Sequence, residues 1–148
     1  PGCTYSKGYW KNHAGFGPQE DKISSLLPIW LGDAGGSNSL LVGSASIAVE
    51  VLSHKICDKS SNGFTKLYAQ LLAAKLNIAN GASDSDIAEI IALADGFLAS
   101  HSCSDWRSLD KDERKTVLDW MGTLDDYNNG RIGPGNCDDE PSILNTLR

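Results

Sequence analysis

Between Phe64 and Ile78 the chain carries apolar side chains on more than one side of any helix it could form. Leu67, Leu71, Ala74 and Ile78 make one row, and Tyr68, Leu72 and Leu76 make another. A helix that is apolar all round has no face to give to water, so other elements must surround it. The apolar character is broken by Gln70, Lys75 and Asn77, so the segment falls short of the roughly 18 consecutive apolar residues of a membrane span. No other stretch comes closer. Asn80-Gly81 offers a left-handed stop just after it. The constraint is therefore a buried central helix over about 64–79 with a bundle built around it.

The flanking sequence supplies partners. Ala45, Ala48, Val49, Leu52 and Ile56 recur at helical spacing within 44–56. Ile87, Ile90, Ile91, Ala94, Phe97 and Leu98 form an amphipathic stripe, with Ala94 as its small member, and Ser83 with Asp86 reads as its capping box. Asp110 with Glu113 caps a further helix that buries Val117, Leu118, Met121 and Leu124, with Trp120 beside them. Residues 21–31 read as a short apolar helix interrupted near Pro28, residues 32–39 and 125–138 as turns, and Pro141 as the start of a last short helix burying Ile143, Leu144 and Leu147. Tyr5, Tyr9, Trp10 and Phe16 crowd residues 1–19, which predicts an ordered N-terminal arm with a helical turn around Gly8 to His13. No convincing strand pattern and no repeat are present. The expected fold is all-α: a compact bundle of five or six helices with an ordered N-terminal arm, in a single domain over 1–148.

Cys3, Cys57, Cys103 and Cys137 are even in number, widely spaced and without a CxxC pair. That disfavours zinc-knuckle and thioredoxin-like chemistry and predicts two disulfides in an oxidising compartment, with four buried free thiols as the rival reading. Three pairings are open on spacing. A Cys3–Cys137 bond would close nearly the whole chain, worth roughly 5 kcal/mol through the unfolded state. The sequence opens at Pro1 without a signal peptide, as a processed or trimmed chain does. A formal charge of −6, from 13 basic and 19 acidic residues, and the lack of a basic run disfavour nucleic acid as a partner.

Candidate chemistry is sparse. Asp125 to Ile132 has the outline of a calcium loop, with Asp125 first, Gly130 sixth and Ile132 eighth; Asp125 and Asn129 are its candidate ligands. Tyr127 in the third place and Asn136 in the twelfth leave two oxygens missing, and Asn128-Asn129-Gly130 reads more simply as the turn ending a helix. Asp138, Asp139 and Glu140 could add carboxylates or favour the following helix start. Of the histidines His13, His54 and His101, the first sits among the early aromatics and is expected to fix the N-terminal arm by a hydrogen bond. A Cys2His2 zinc site would need the thiols that the disulfides use. No GxSxG elbow, Walker loop or dinucleotide loop occurs, and no catalytic residue is assigned. Tyr9, Trp10, His13 and Trp30 are the candidate surface contacts, for a saccharide or a protein.

The chain opens Cys3-Thr4-x-x-x-Gly8-Tyr9-Trp10-Lys11-Asn12-His13 and nearly closes Tyr127-Asn128-Asn129-Gly130-x-x-Gly133-Pro134-Gly135-x-Cys137, with Ala73-Ala74-Lys75-Leu76-Asn77 and Asn80-Gly81-Ala82-Ser83 between. These motifs resemble those of a family of secreted bacterial domains with no established activity, over about residues 3–137. The resemblance implies export, alone or beside surface-associated modules. It also implies a Cys3–Cys137 bond, since both cysteines belong to the end motifs, and with it Cys57–Cys103. The family's closing motif more often has His where this chain has Asn136, so a metal bound through that His in relatives would lack a ligand here.

Two functions follow as expectations. The leading one is a non-enzymatic extracellular module, secreted or at the cell surface, that is structural, self-assembling or adhesive, its partner a second copy or a surface polymer. The alternative is a small secreted hydrolase or metal-dependent enzyme using His13 or His54. No cofactor is assigned apart from calcium.

Overall fold

A computed structural model describes residues 2–57 and 61–137. Five α-helices run in the order α1 (Lys7–Asn12), α2 (Ala45–Leu52), α3 (Gly63–Ala79), α4 (Ala88–Ser100) and α5 (Lys111–Asn128), with 3-10 turns at Ser24–Leu26 and Cys103–Ser108. The expected last helix from Pro141, and Asp138, Asp139 and Glu140, lie outside the described residues.

Helix starts follow from local chemistry. The side chains of Ser6, Ser44 and Asn62 accept the first free backbone N–H groups of α1, α2 and α3. Asp110 and Glu113 form the reciprocal box expected for α5. The box expected at Ser83 and Asp86 does not start α4. Ser83 Oγ instead accepts from Ser85 N in a preceding turn, and the helix begins at Ala88 without a side-chain cap. Both long helices stop in the same way. Gly81 and Gly130 take positive φ, and the next residue's N–H reaches back five positions, Ala82 to Asn77 O and Arg131 to Asp126 O.

Helix α3 is the axis. Phe64, Leu67, Leu71, Leu72, Ala73, Ala74 and Leu76 are fully buried around its circumference, and α1, α2, α4, α5 and a hairpin all pack on it. Ala94 is fully buried in α4, as are Val117 and Leu124 in α5. Leu118, expected in that buried stripe, stays 39% exposed. Fully burying side chains of this size contributes roughly 1.5–3 kcal/mol each. No helix among the described residues is long and apolar enough to cross a membrane.

The segment 21–31 departs from expectation. After the turn at Ser24–Leu26, Pro28 ends any helical path, and Ile29–Leu31 (β1) pairs antiparallel with Leu40–Val42 (β2), Trp30 opposite Leu41. Three residues per strand are too few to show an alternation, and the hairpin exists because α3 and α4 hold it. Lys75 Nζ donates to Trp30 O at 2.7 Å and to Asp95 at 2.8 Å, while Asp95 Oδ1 accepts from Gly32 N.

Two disulfides staple the bundle, Cys3–Cys137 and Cys57–Cys103. At the first, the segments around Thr4 and Asn136 meet as a parallel bridge: Thr4 N donates to Gly135 O and Cys137 N to Thr4 O.

Candidate functional site

The two end motifs converge on one buried polar network. Asn77 of α3 is its hub: Oδ1 accepts from Tyr5 N at 2.8 Å and from Trp10 Nε1 at 3.1 Å, and Nδ2 donates to Tyr5 O and to Asn128 Oδ1. Asn128 Nδ2 donates to Gln70 O and Oε1, and Gln70 Nε2 donates to Asp125. Thr4 Oγ1 donates to Tyr127 O, and Asn136 Nδ2 donates to Thr4 O and Asn128 O. Among the described residues no buried side-chain polar atom lacks a partner. Such a network rewards particular residue types, because replacing one member strands the others without hydrogen bonds.

Trp10 therefore has a different place from the expected one. The sequence places it among the surface contacts, but Trp10 is 1% exposed and its indole N–H is held by Asn77. Trp30 stands apart in the hairpin and makes no ring contact with the other three. Tyr9 and His13 do come together. Tyr5, Tyr9 and His13, four residues apart in turn, stack as a ladder with centroids 3.8 and 3.7 Å apart, set edge-on against Trp10.

Asp125 and Asn129 are also brought together, through Asn129 Nδ2 donating to Asp125 O and Oδ1. The same carboxylate accepts from Gln70 and lies 3.4 Å from Arg131. Its oxygens thus face an amide, an amide and a guanidinium, which suits a helix-ending clamp better than a cation. No group of three or more His, Cys, Asp or Glu side chains among the described residues is placed to hold a metal ion.

The histidines have separate neighbours. His13 Nδ1 lies 2.7 Å from Tyr9 O; a carbonyl only accepts, so this nitrogen carries the proton, and Nε2 of the neutral ring is an acceptor. The bond joins the α1 C-cap to its own helix and so sets the orientation of the ring on α1. His101 stacks on Phe97, with Nδ1 near Phe97 O and the adjacent Ser100 Oγ, whose hydroxyl also reaches Gly96 O and Phe97 O. His54 is the one non-glycine described residue at positive φ (62°). Its Nε2 accepts from Lys7 Nζ at 2.9 Å. Burial, with Lys7, Lys66 and Lys11 nearby, holds its pKa below the usual histidine range, and burial likewise lowers that of Lys7. No carboxylate appears among the hydrogen-bond partners of any of the three.

Helix α1 consequently has two unlike edges. Lys7 and Lys11 face the His54 side. The other edge lines an open groove of about 490 Å³ between the aromatic ladder and the closing strand at Asn136 and Cys137. A second groove of about 500 Å³ lies beside Cys57, Cys103 and Trp106. There Asn62 is already engaged, capping α3 and donating to Cys103 O.

The sequence reading did not find this α1 groove or the hub role of Asn77. A lone Asn inside an apolar helix was the available signal, since a buried amide must find partners. Compared with protein-family models, curated proteins and solved structures, the chain matches none.

Proposed function

We propose that the chain is a non-enzymatic extracellular module of a secreted or cell-surface protein, and that it works by adhesion to a surface polymer. The observation that carries this reading is the use of the motif residues. Thr4, Trp10, Asn77 and Asn128, with Asn136 in the variable place of the closing motif, hydrogen-bond one another or the backbone around a disulfide, as a durable scaffold requires. Two disulfides favour an oxidising compartment. The resemblance of the end motifs to secreted bacterial domains points the same way. The groove on α1, whose described lining carries no charged side chain, gives such a scaffold a face for contact. Retention of the intact protein on insoluble cell-surface polymers, combined with size exclusion and light scattering, tests the reading. Retention or reversible self-association is expected. A strict monomer that binds no surface polymer would overturn it.

A further inference from the structure

The groove on α1 has a lining unlike the rest of the surface. In a chain with 13 basic and 19 acidic residues, no Asp, Glu, Lys or Arg side chain among the described residues lines it. Its polar side chains are the amides of Asn12, Gln19 and Asn136, the hydroxyls of Thr4, Tyr5, Ser6 and Tyr9, and the His13 ring. Asn136 is engaged with Thr4 and Asn128. Asn12 and Gln19, both exposed, make no side-chain hydrogen bond among the described residues. His13 Nε2 is left as an acceptor by the bond that its Nδ1 makes.

Gly8 adds an independent observation. It lies within α1, where glycine costs roughly 1 kcal/mol against alanine. Neither of the usual structural reasons for glycine applies here. Its φ is not positive, and among the described residues an added Cβ would meet nothing nearer than Ser6 Oγ at 3.9 Å. By contrast Gly133, at φ 81°, would drive a Cβ to 2.8 Å from the Tyr127 ring. The fold thus requires glycine at 133 and not at 8. What a side chain at position 8 would occupy is the groove itself.

We propose that this groove is a binding site for an uncharged saccharide, with Gly8 as its floor and Asn12, Gln19 and His13 as hydrogen-bonding groups. Sugar hydroxyls both donate and accept, matching two free amides and an imidazole acceptor. The absence of fixed charge among the described lining residues and the net charge of −6 favour a neutral polymer over an anionic one. In the ring ladder Tyr5 and His13 cover the two faces of Tyr9, so recognition is assigned to hydrogen bonds and close approach over Gly8. The proposal rests on the adhesive reading above and assigns its ligand class and its face.

Affinity electrophoresis of the intact protein tests it, in gels containing a neutral polysaccharide (a β-glucan, a mannan or a xylan) or an anionic one (polygalacturonate). At least one neutral polymer is expected to retard the wild type. Gly8→Leu should reduce the retardation at least tenfold while Tm stays unchanged or rises, which separates a blocked groove from a damaged fold. Asn12→Ala with Gln19→Ala should weaken it severalfold. Retardation by neutral polymer that survives Gly8→Leu would overturn the site while leaving the adhesive reading intact. So would retardation by the anionic polymer alone, or self-association abolished by Gly8→Leu, which would make a second copy the occupant. No retardation by any polymer would overturn the site, and the light-scattering measurement would then decide the module reading separately.

Discussion

The two disulfides are surrounded by opposite kinds of chemistry. Around Cys3–Cys137 the neighbours are amides, hydroxyls and backbone groups organised by Asn77. On the side of Cys57–Cys103 the neighbours are rings. Phe64 meets Phe97 and Trp106 edge-on, Phe97 meets Trp120, Arg114 lies over Trp106 at 5.7 Å, and Gly63 sits directly against the Trp106 ring. A hydrogen-bond network depends on which atoms are present, because an unpaired buried donor or acceptor costs about 1–3 kcal/mol. An aromatic cluster depends mainly on volume, and volume-conserving apolar exchanges usually cost less than about 1.5 kcal/mol. One end of the molecule is thus held by residue identity and the other by shape.

Breaking the bonds themselves should have the largest effect. Cys3→Ser with Cys137→Ser opens a sequence separation of 134, against 46 for Cys57→Ser with Cys103→Ser. Loop entropy gives losses of about 5 and about 4 kcal/mol. Denaturant unfolding of the two double variants should rank them in that order. A reversed order would mean that the network at the first disulfide survives without its covalent bond.

The contrast of identity against shape is sharpened by paired substitutions. Asn77→Leu keeps the approximate volume and strands Trp10 Nε1, Tyr5 N and Asn128 Oδ1, which should cost about 4 kcal/mol. Phe64→Leu, made in the aromatic cluster, should cost about 1–2 kcal/mol. Equal losses by thermal or chemical denaturation would dissolve the distinction between the two ends.

Single titrating groups add a further contrast, in pH dependence. Burial, with the Asp84 carboxylate nearby, pushes the Tyr127 phenol up to about 12 from an ordinary 10, and its hydroxyl donates to Ser83 O. The folded state holds this proton after the unfolded state has lost it, so the contribution is complete below pH 10 and disappears between 10 and about 12. His54 has the opposite sign. Its pKa is lowered, so the unfolded chain takes up the proton first, and stability falls as pH drops below 6.5. Tyr127→Phe should flatten the alkaline limb and His54→Asn the acid limb. Near-ultraviolet titration of the phenol together with Tm against pH checks both, and an unchanged acid limb in His54→Asn would remove the Lys7–His54 pair from the account.

Much of the architecture was legible in the residues. The all-round apolar character of 64–78 put α3 at the centre, and Asp110 with Glu113 marked the start of α5, because these signals lie within a few residues of where they act. The hairpin was not legible, since its strands depend on Lys75 and Asp95 from two helices. Nor was the burial of Trp10: an indole near the chain start reads as a surface contact until a partner for its N–H is known, and that partner is 67 residues away. The groove escaped for the same reason, being formed only when α1 and the segment at Asn136 are brought side by side.

By itself the sequence determined a helical bundle around one buried axis, in which periodicity and capping act locally, and it left the cysteine pairing open on spacing alone. Only the tertiary structure decided that the opening and closing motifs meet on Asn77 and which edge of α1 lines the groove. Both are outcomes of long-range contact, in which an amide's meaning is set by the atoms that surround it.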